Sequence, residues 1–262
     1  MRPALVTVLL LVLAACGRAP APTPAPDPAP VPVARAAVPP ASTRPVAPAP
    51  VVVLDPGHNG GNAAAAAEIG RDVPDGRGGE KPCNTTGTET ADGYAEHAFA
   101  WDVAARVSRL LEARGVAVRS TRPDDTGVGP CVDRRAAIAN EAGAALTVSI
   151  HADSGPAGGR GFHVATSDPP LAPSQRTPST ALARALADGL VAQGFGPSTY
   201  RGEGGLDPRD DLAGLNLARV PAALVECANM AEAGDAASTE DPAGRQRYAE
   251  GIAAGILATV GR

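Results

Sequence analysis

The sequence predicts a three-layer α/β/α domain, a mostly parallel sheet with helices on both faces, formed by residues 51–262 as a single catalytic domain. Two observations carry this. Short apolar, β-branched runs alternate with longer segments of helical period, the pattern of parallel strands joined by crossover helices. Two of those runs also end on a histidine: Val51-Val52-Val53-Leu54 leads into Asp55-Pro56-Gly57-His58, and Leu146-Thr147-Val148-Ser149-Ile150 leads into His151-Ala152-Asp153. In an open α/β sheet chemistry collects in the crevice beyond the carboxyl ends of the strands, so both imidazoles are expected where a metal or a substrate sits.

Each element follows from local pattern. Residues 51–54 read as the first strand, and residues 55–95 as a long glycine-rich loop, a length that in a compact domain usually signals function or mobility. From Glu96, the apolar positions Phe99, Val103, Val107, Leu110 and Leu111 recur at helical spacing, and Gly115 is placed to end the helix. Val116-Ala117-Val118 reads as a strand, and Asp133–Glu141 as a short helix closed by Gly143. Residues 145–150 are a strand, and Gly161–Ala165 a further one. Pro178–Gln193 is a helix with Leu182, Leu186 and Leu190 on one face and Gly194 at its end. Ala222–Glu226 is a strand and Gly244–Val260 the closing helix.

The first fifty residues follow different rules. Residues 1–15 carry a single charge, Arg2, followed by the apolar stretch Ala4–Ala15, the layout of a secretory signal too short for a confident membrane span. The stretch ends Leu13-Ala14-Ala15-Cys16-Gly17, which resembles the bacterial lipoprotein box and implies cleavage before Cys16 with lipid on its sulfur. Residues 16–50 are a disordered Pro/Ala-rich linker, and residues 17–50 hold twelve of the 27 prolines. A tract without an apolar period packs no core. It forms a semi-rigid polyproline II spacer that reaches on the order of 100 Å at about 3.1 Å per residue. The expected location is therefore the cell envelope or periplasm, with a membrane anchor through Cys16.

Composition narrows the function. The net charge is −5, aromatic residues make up 3% of the chain, and no Lys/Arg cluster is present, which argues against a nucleic-acid partner. Export places the remaining cysteines in an oxidising compartment. Cys83 and Cys131 sit in irregular, glycine-containing segments that can meet over the strand ends, and a Cys83–Cys131 disulfide is predicted. Cys227 closes an apolar run and reads as a buried thiol. No two cysteines have CxxC spacing, so a structural zinc site built from them is disfavoured.

Hydrolysis of an amide at neutral pH needs a polarised carbonyl and an activated water, and a zinc site with three protein ligands and one open position supplies both. The histidines are His58, His97, His151 and His163. His58 and His151 form the strand-end pair. His163 lies inside a predicted strand, where a sheet-face side chain is the better account. Glu96-His97 begins the first long helix, and on residue pattern alone either serves as the third ligand. Glu226 closes the run Ala222–Val225, and a carboxylate arriving there can act as general base and then as acid to a leaving amine.

The order Asp55-Pro56-Gly57-His58, Glu96 before a helix, Ser149-Ile150-His151-Ala152-Asp153, then Val225-Glu226 resembles the zinc-dependent N-acetylmuramoyl-L-alanine amidases of bacterial cell-wall turnover. Thr121-Arg122 with Asp124, and Arg134 through Ala139-Asn140, are also similar, and the likeness spans nearly all of 51–262. The resemblance implies one Zn²⁺ per chain held by His58, Glu96 and His151, with Glu226 as the catalytic glutamate. It favours Glu96 over His97. It implies cleavage of the amide between N-acetylmuramic acid and L-alanine in peptidoglycan or its fragments. Arg134 and Asn140 read as scaffold positions that fix their helix against the strand carrying His151, and Asp153 as a hydrogen-bonding residue near His151. The 59–92 segment departs from the simplest family pattern, and no peptidoglycan-binding module is seen. The chain is expected to act as a monomer. Two rivals are another zinc peptidase or deacetylase of the cell wall, and an envelope lipoprotein that binds peptidoglycan or metal without turnover. The second would be marked by loss of one of the four constellation residues, and all four are present.

Overall fold

The computed structural model describes residues 49–262. The expected signal sequence, Cys16 and the proline-rich segment to residue 48 lie outside the described residues. Along the chain the elements are β1 (Val51–Pro56), α1 (Ala66–Ile69), β2 (Asp72–Pro74), β3 (Glu80–Pro82), α2 (Glu96–Glu112), β4 (Ala117–Ser120), α3 (Val132–Glu141), β5 (Leu146–Asp153), β6 (His163–Ser167), α4 (Thr177–Ala192), β7 (Leu206–Arg209), α5 (Ala213–Asn216), β8 (Ala222–Asn229), α6 (Ala233–Glu240) and α7 (Pro242–Val260).

Six strands form the central sheet in the order β4-β1-β5-β8-β6-β7. The pairs β4–β1, β1–β5 and β5–β8 are parallel. β6 runs antiparallel to β8, and β7 lies parallel to β6 at the edge. The three-layer, mostly parallel prediction holds. The reversal at β6 was not readable from the sequence, because a buried strand has the same apolar alternation in either direction.

The two faces of the sheet bury different things. One face packs against α2, α4 and α7 in the main core, where Val52, Leu54, Val148, Ile150 and Val225 meet the helices. Phe99, Val103, Val107 and Leu111 of α2 are spaced four apart and fully buried. That repeat gives α2 its apolar stripe, and each such side chain contributes about 1.5–3 kcal/mol by leaving water. Asp241 caps α7 by accepting hydrogen bonds from the backbone N–H groups of Ala243 and Gly244, and the helix ends at Gly261 in the left-handed conformation. The opposite face is covered more thinly. Val53 packs with Ala139 and Ala144, and Ala165 with Leu215, Ala218 and Ala222. Toward the strands' carboxyl ends this second face turns polar, at Asp55, Ser149, His151 and Glu226, and a groove opens over those residues.

The 55–95 segment contains a small hairpin, β2–β3. A Cys83–Cys131 disulfide joins its base to the start of α3, as the sequence predicted. Arg77 fastens its tip by donating to the Pro169 and Asp210 carbonyls and to the Ser167 hydroxyl. Lys81 donates to the Asp211 carbonyl. Cys227 is a buried free thiol, as expected. No helix among the described residues is long and apolar enough to cross a membrane.

Candidate metal centre and groove

Asp55-Pro56-Gly57-His58 is the turn by which β1 leaves the sheet, and each residue has a distinct task. Asp55 ties three elements together. It accepts hydrogen bonds from the Thr121 hydroxyl at 2.6 Å, Arg135 at 2.8 Å and the Ser149 hydroxyl at 2.7 Å. Burial alone would raise its carboxyl, but Arg135 and the two hydroxyls hold it below the ordinary value. Gly57 is required by space, since a Cβ there would lie 2.3 Å from the His151 ring. His58 has φ of +55°, a conformation rare outside glycine. The turn keeps that shape because two buried arginines collect its carbonyls. Arg122 donates to Pro56 and Gly57, and Arg135 to Pro56 and His58.

Three side chains converge above this turn. Glu96 Oε1 lies 3.0 Å from His58 Nε2 and 2.8 Å from His151 Nδ1. Glu96 is the first residue of α2, where the helix dipole favours a carboxylate. Its Oε2 accepts from the Thr88 N–H at 3.0 Å. Gly87 allows this loop to close in, since a Cβ there would come within 2.9 Å of both Glu96 and the His58 ring. His58 Nδ1 faces the Thr85 carbonyl at 3.1 Å. A carbonyl can only accept, so that nitrogen carries the proton and Nε2 presents its lone pair to the centre. One ligand atom from each of His58, Glu96 and His151 lies within 4.8 Å of the others. Two imidazole nitrogens and a carboxylate oxygen gathered this closely form a donor set of the kind a divalent cation takes, so these residues fit a metal.

The sheet brings Glu226 to the same place. β5 and β8 pair with His151 beside Glu226, and the register shifts just beyond, between His151 and Asp153. Glu226 is partly buried, with its Oε2 enclosed and without a hydrogen-bond partner within the protein. Burial, then the negative charges of Glu96 and Asp153, push its carboxyl well above the ordinary range. A carboxyl raised in this way is easier to protonate than an ordinary surface carboxylate. It lines a groove of ≈460 Å³ together with the His58–Glu96–His151 cluster.

Other sequence expectations resolve differently. His97 points away from the cluster and pairs with Asp125 at 2.8 Å. His163 is a buried sheet side chain, as expected, placed beside Glu226 across β6 and β8. The scaffold role expected of Arg134 belongs to Arg135. Arg134 is exposed and pairs with Glu141 on its own helix. Asn140 does fix α3, but against the segment leading into β8. Its side chain bonds the Leu217 carbonyl and the Arg219 N–H, so it supports the strand of Glu226 and not that of His151. Asp153, expected to hydrogen-bond a metal ligand or the fold near His151, does the second, accepting from the Tyr200 hydroxyl at 3.2 Å. Sequence reasoning missed Arg135, Tyr200, Arg201 and Arg209. The first was signalled by Arg134-Arg135, where helical phase decides which residue faces inward. The other three lie in a segment without periodicity.

A mostly parallel sheet with a His–Glu–His donor set and a glutamate in the groove over its carboxyl edge fits the class of metal-assisted hydrolases. The family described as N-acetylmuramoyl-L-alanine amidase matches residues 52–258. The chain is 48% identical over 234 residues to N-acetylmuramoyl-L-alanine amidase Rv3717 of Mycobacterium tuberculosis, covering 87% of this chain and 96% of that protein. The crystal structure of the N-acetylmuramyl-L-alanine amidase Ami1 from Mycobacterium smegmatis superposes with a TM-score of 0.78 at 53% identity, over 80% of this chain and 96% of that one. The amidase AmiC2 of Nostoc punctiforme matches with a TM-score of 0.61 at 25% identity, over 81% of this chain and 97% of its own. The chain belongs to the N-acetylmuramoyl-L-alanine amidase family and is an amide hydrolase.

Proposed function

We propose that this protein hydrolyses the amide between N-acetylmuramic acid and L-alanine in peptidoglycan or its fragments, with Zn²⁺ held by His58, Glu96 and His151 and with Glu226 as general base and acid. The observation that carries the reading is the meeting of His58 Nε2 and His151 Nδ1 on a single Glu96 oxygen, with Glu226 beside His151 in the same groove. A cation at that point supplies Lewis acidity to the scissile carbonyl and lowers the pKa of water. Glu226 accepts the proton of the attacking water and passes it to the amide nitrogen as the C–N bond breaks, freeing the stem peptide with a new amino terminus. Its enclosure keeps the carboxyl protonatable enough for the second step. Arg122 and Arg135 hold the His58 turn so that the imidazole needs no rearrangement during turnover.

Residues 1–15 are read as a signal peptide, Cys16 as the lipid attachment point and residues 16–50 as a tether. On this reading the protein is a membrane-held enzyme of the cell envelope, and we take it to act as a monomer. Metal analysis with product identification tests the reading. Purified protein is expected to carry one zinc per chain and to release stem peptides from muropeptides, leaving glycan intact, with activity lost to a chelator. Glu226→Gln is expected to keep zinc and to lose roughly 10²- to 10⁴-fold in rate. Glu96→Ala is expected to lose zinc while His97→Ala keeps it. A Glu226→Gln protein of wild-type rate, or the reverse pattern of zinc loss, overturns the assignments.

A further inference from the structure

Resting on the amidase reading, we infer that Arg201 is a specificity residue that binds a carboxylate of the stem peptide, one residue beyond the scissile bond. The groove is lined by Thr85–Thr88 and the His58–Glu96–His151 cluster and also by Glu226, Asp153, Arg201 and Arg209. The last three are near enough to Glu226 for their charges to act on its carboxyl. Glu226 protonates the departing amine, so the peptide half of the substrate lies on its side of the groove. The other cationic side chains lining the groove are already engaged, Arg135 by Asp55 and the His58 turn. Arg209 holds Asp211 through two hydrogen bonds, at 2.8 and 2.6 Å, and Lys81 donates to the Asp211 carbonyl. Arg201 is exposed, and its guanidinium makes no hydrogen bond or ion pair among the described residues.

The backbone beneath Arg201 is built to hold it. The Ser198 hydroxyl accepts from the N–H groups of Tyr200 and Arg201. The Ser198 N–H bonds the Phe162 carbonyl at 2.6 Å, and the Thr199 N–H bonds that of Arg160. The Tyr200 ring lies flat enough over Gly155 and Gly159 that a Cβ on either would come within 2.7 Å of it. Its hydroxyl donates to Asp153. The backbone is anchored beside the groove, and the unpaired guanidinium it carries has the planar fork that matches a carboxylate bidentately.

The test uses two probes, N-acetylmuramoyl-L-alanyl-D-glutamate, whose second residue has a free α-carboxylate, and its α-amide. The full-length zinc protein is compared with Arg201→Gln and Arg201→Lys. The ratio of kcat/KM for acid over amide is expected to fall roughly tenfold or more in Arg201→Gln, mainly through KM, and to recover in part in Arg201→Lys. Calorimetric binding of both probes in the Glu226→Gln background is expected to show the same loss of preference. Equal losses on the two probes, or an unchanged ratio, overturn the carboxylate site and leave the amidase reading intact. Wild-type protein that cuts neither probe overturns both.

Discussion

Arg134 and Arg135 are neighbours with the same charge, yet only the second is structural. Arg135 sits 5% exposed between α3 and β1, with bonds to Asp55 and to the carbonyls of Pro56, His58 and Pro130. Replacing it by alanine leaves a buried carboxylate unpaired and frees the His58 turn. We expect a loss of about 3–5 kcal/mol in stability and of roughly 10- to 100-fold in metal affinity. Arg134→Ala should leave stability nearly unchanged, since its ion pair is exposed to water. Urea unfolding and a zinc competition titration check both. His163 supports a second expectation at this scale. Burial is the main cause that lowers its pKa, to about 4 from 6.5. A depressed folded-state pKa means that His163 costs nothing above pH 6.5, where both states are neutral. As the pH falls toward 4 the unfolded chain takes up the proton and the folded one does not, so stability is lost. Between pH 7 and 4.5 this amounts to roughly 2–3 kcal/mol. His163→Leu should flatten that part of the stability–pH curve, measured as the urea midpoint, and an unchanged slope would show that other groups set it.

Long periodic elements were legible in the sequence, and short ones were not. α2, α4 and the strands β1, β5 and β8 were found within a few residues, because each repeats an apolar position against the main core. β7, α5 and α6 were missed. β7 and α5 span four residues each, and α6 is a polar eight-residue helix with only Thr239 buried, so no window carries a period. The 59–92 segment was legible as unusual but not as a hairpin, since β2 and β3 are three residues each and contain prolines. What holds it is covalent and polar. The disulfide closes 48 residues of chain, worth about 4 kcal/mol in the chain-entropy model. We expect Cys83→Ser/Cys131→Ser to lower stability by about that amount, and dithiothreitol to do the same to the native protein, followed by thermal melting. Arg77→Ala acts on the other end of the hairpin. It should leave the melting temperature nearly unchanged while raising amide exchange at residues 72–82. Equal protection there would mean that the disulfide alone fixes this wall of the groove.

At the scale of the whole chain, the candidate site falls within the described residues 49–262. The His–Glu–His cluster, Glu226 and the arginines bonded to the His58 turn all lie between Asp55 and Asn229, and the family match runs from 52 to 258. His58, His151 and Glu226 are legible because each follows an apolar run, whereas Glu96 is separated from His97 only by the family resemblance. The arginines that brace the site were not legible, because a buried guanidinium and an exposed one look alike in sequence. If residues 16–50 tether the enzyme through Cys16, this leader acts on encounter and not on chemistry. A spacer reaching on the order of 100 Å confines the domain to a thin layer above the membrane and raises its concentration at the wall without altering the groove. A chain beginning at residue 49 should therefore cleave soluble muropeptides with kcat/KM within about twofold of the full chain, since no group in the groove has changed. In cells, Cys16→Ala should move the protein from the membrane to the soluble fraction and slow the release of peptides from intact wall, while the purified variant keeps its rate on fragments. Membrane fractionation of Cys16→Ala identical to wild type removes the lipid anchor from this picture. A large loss of rate on soluble fragments in the shortened chain would mean instead that the leader takes part in the site.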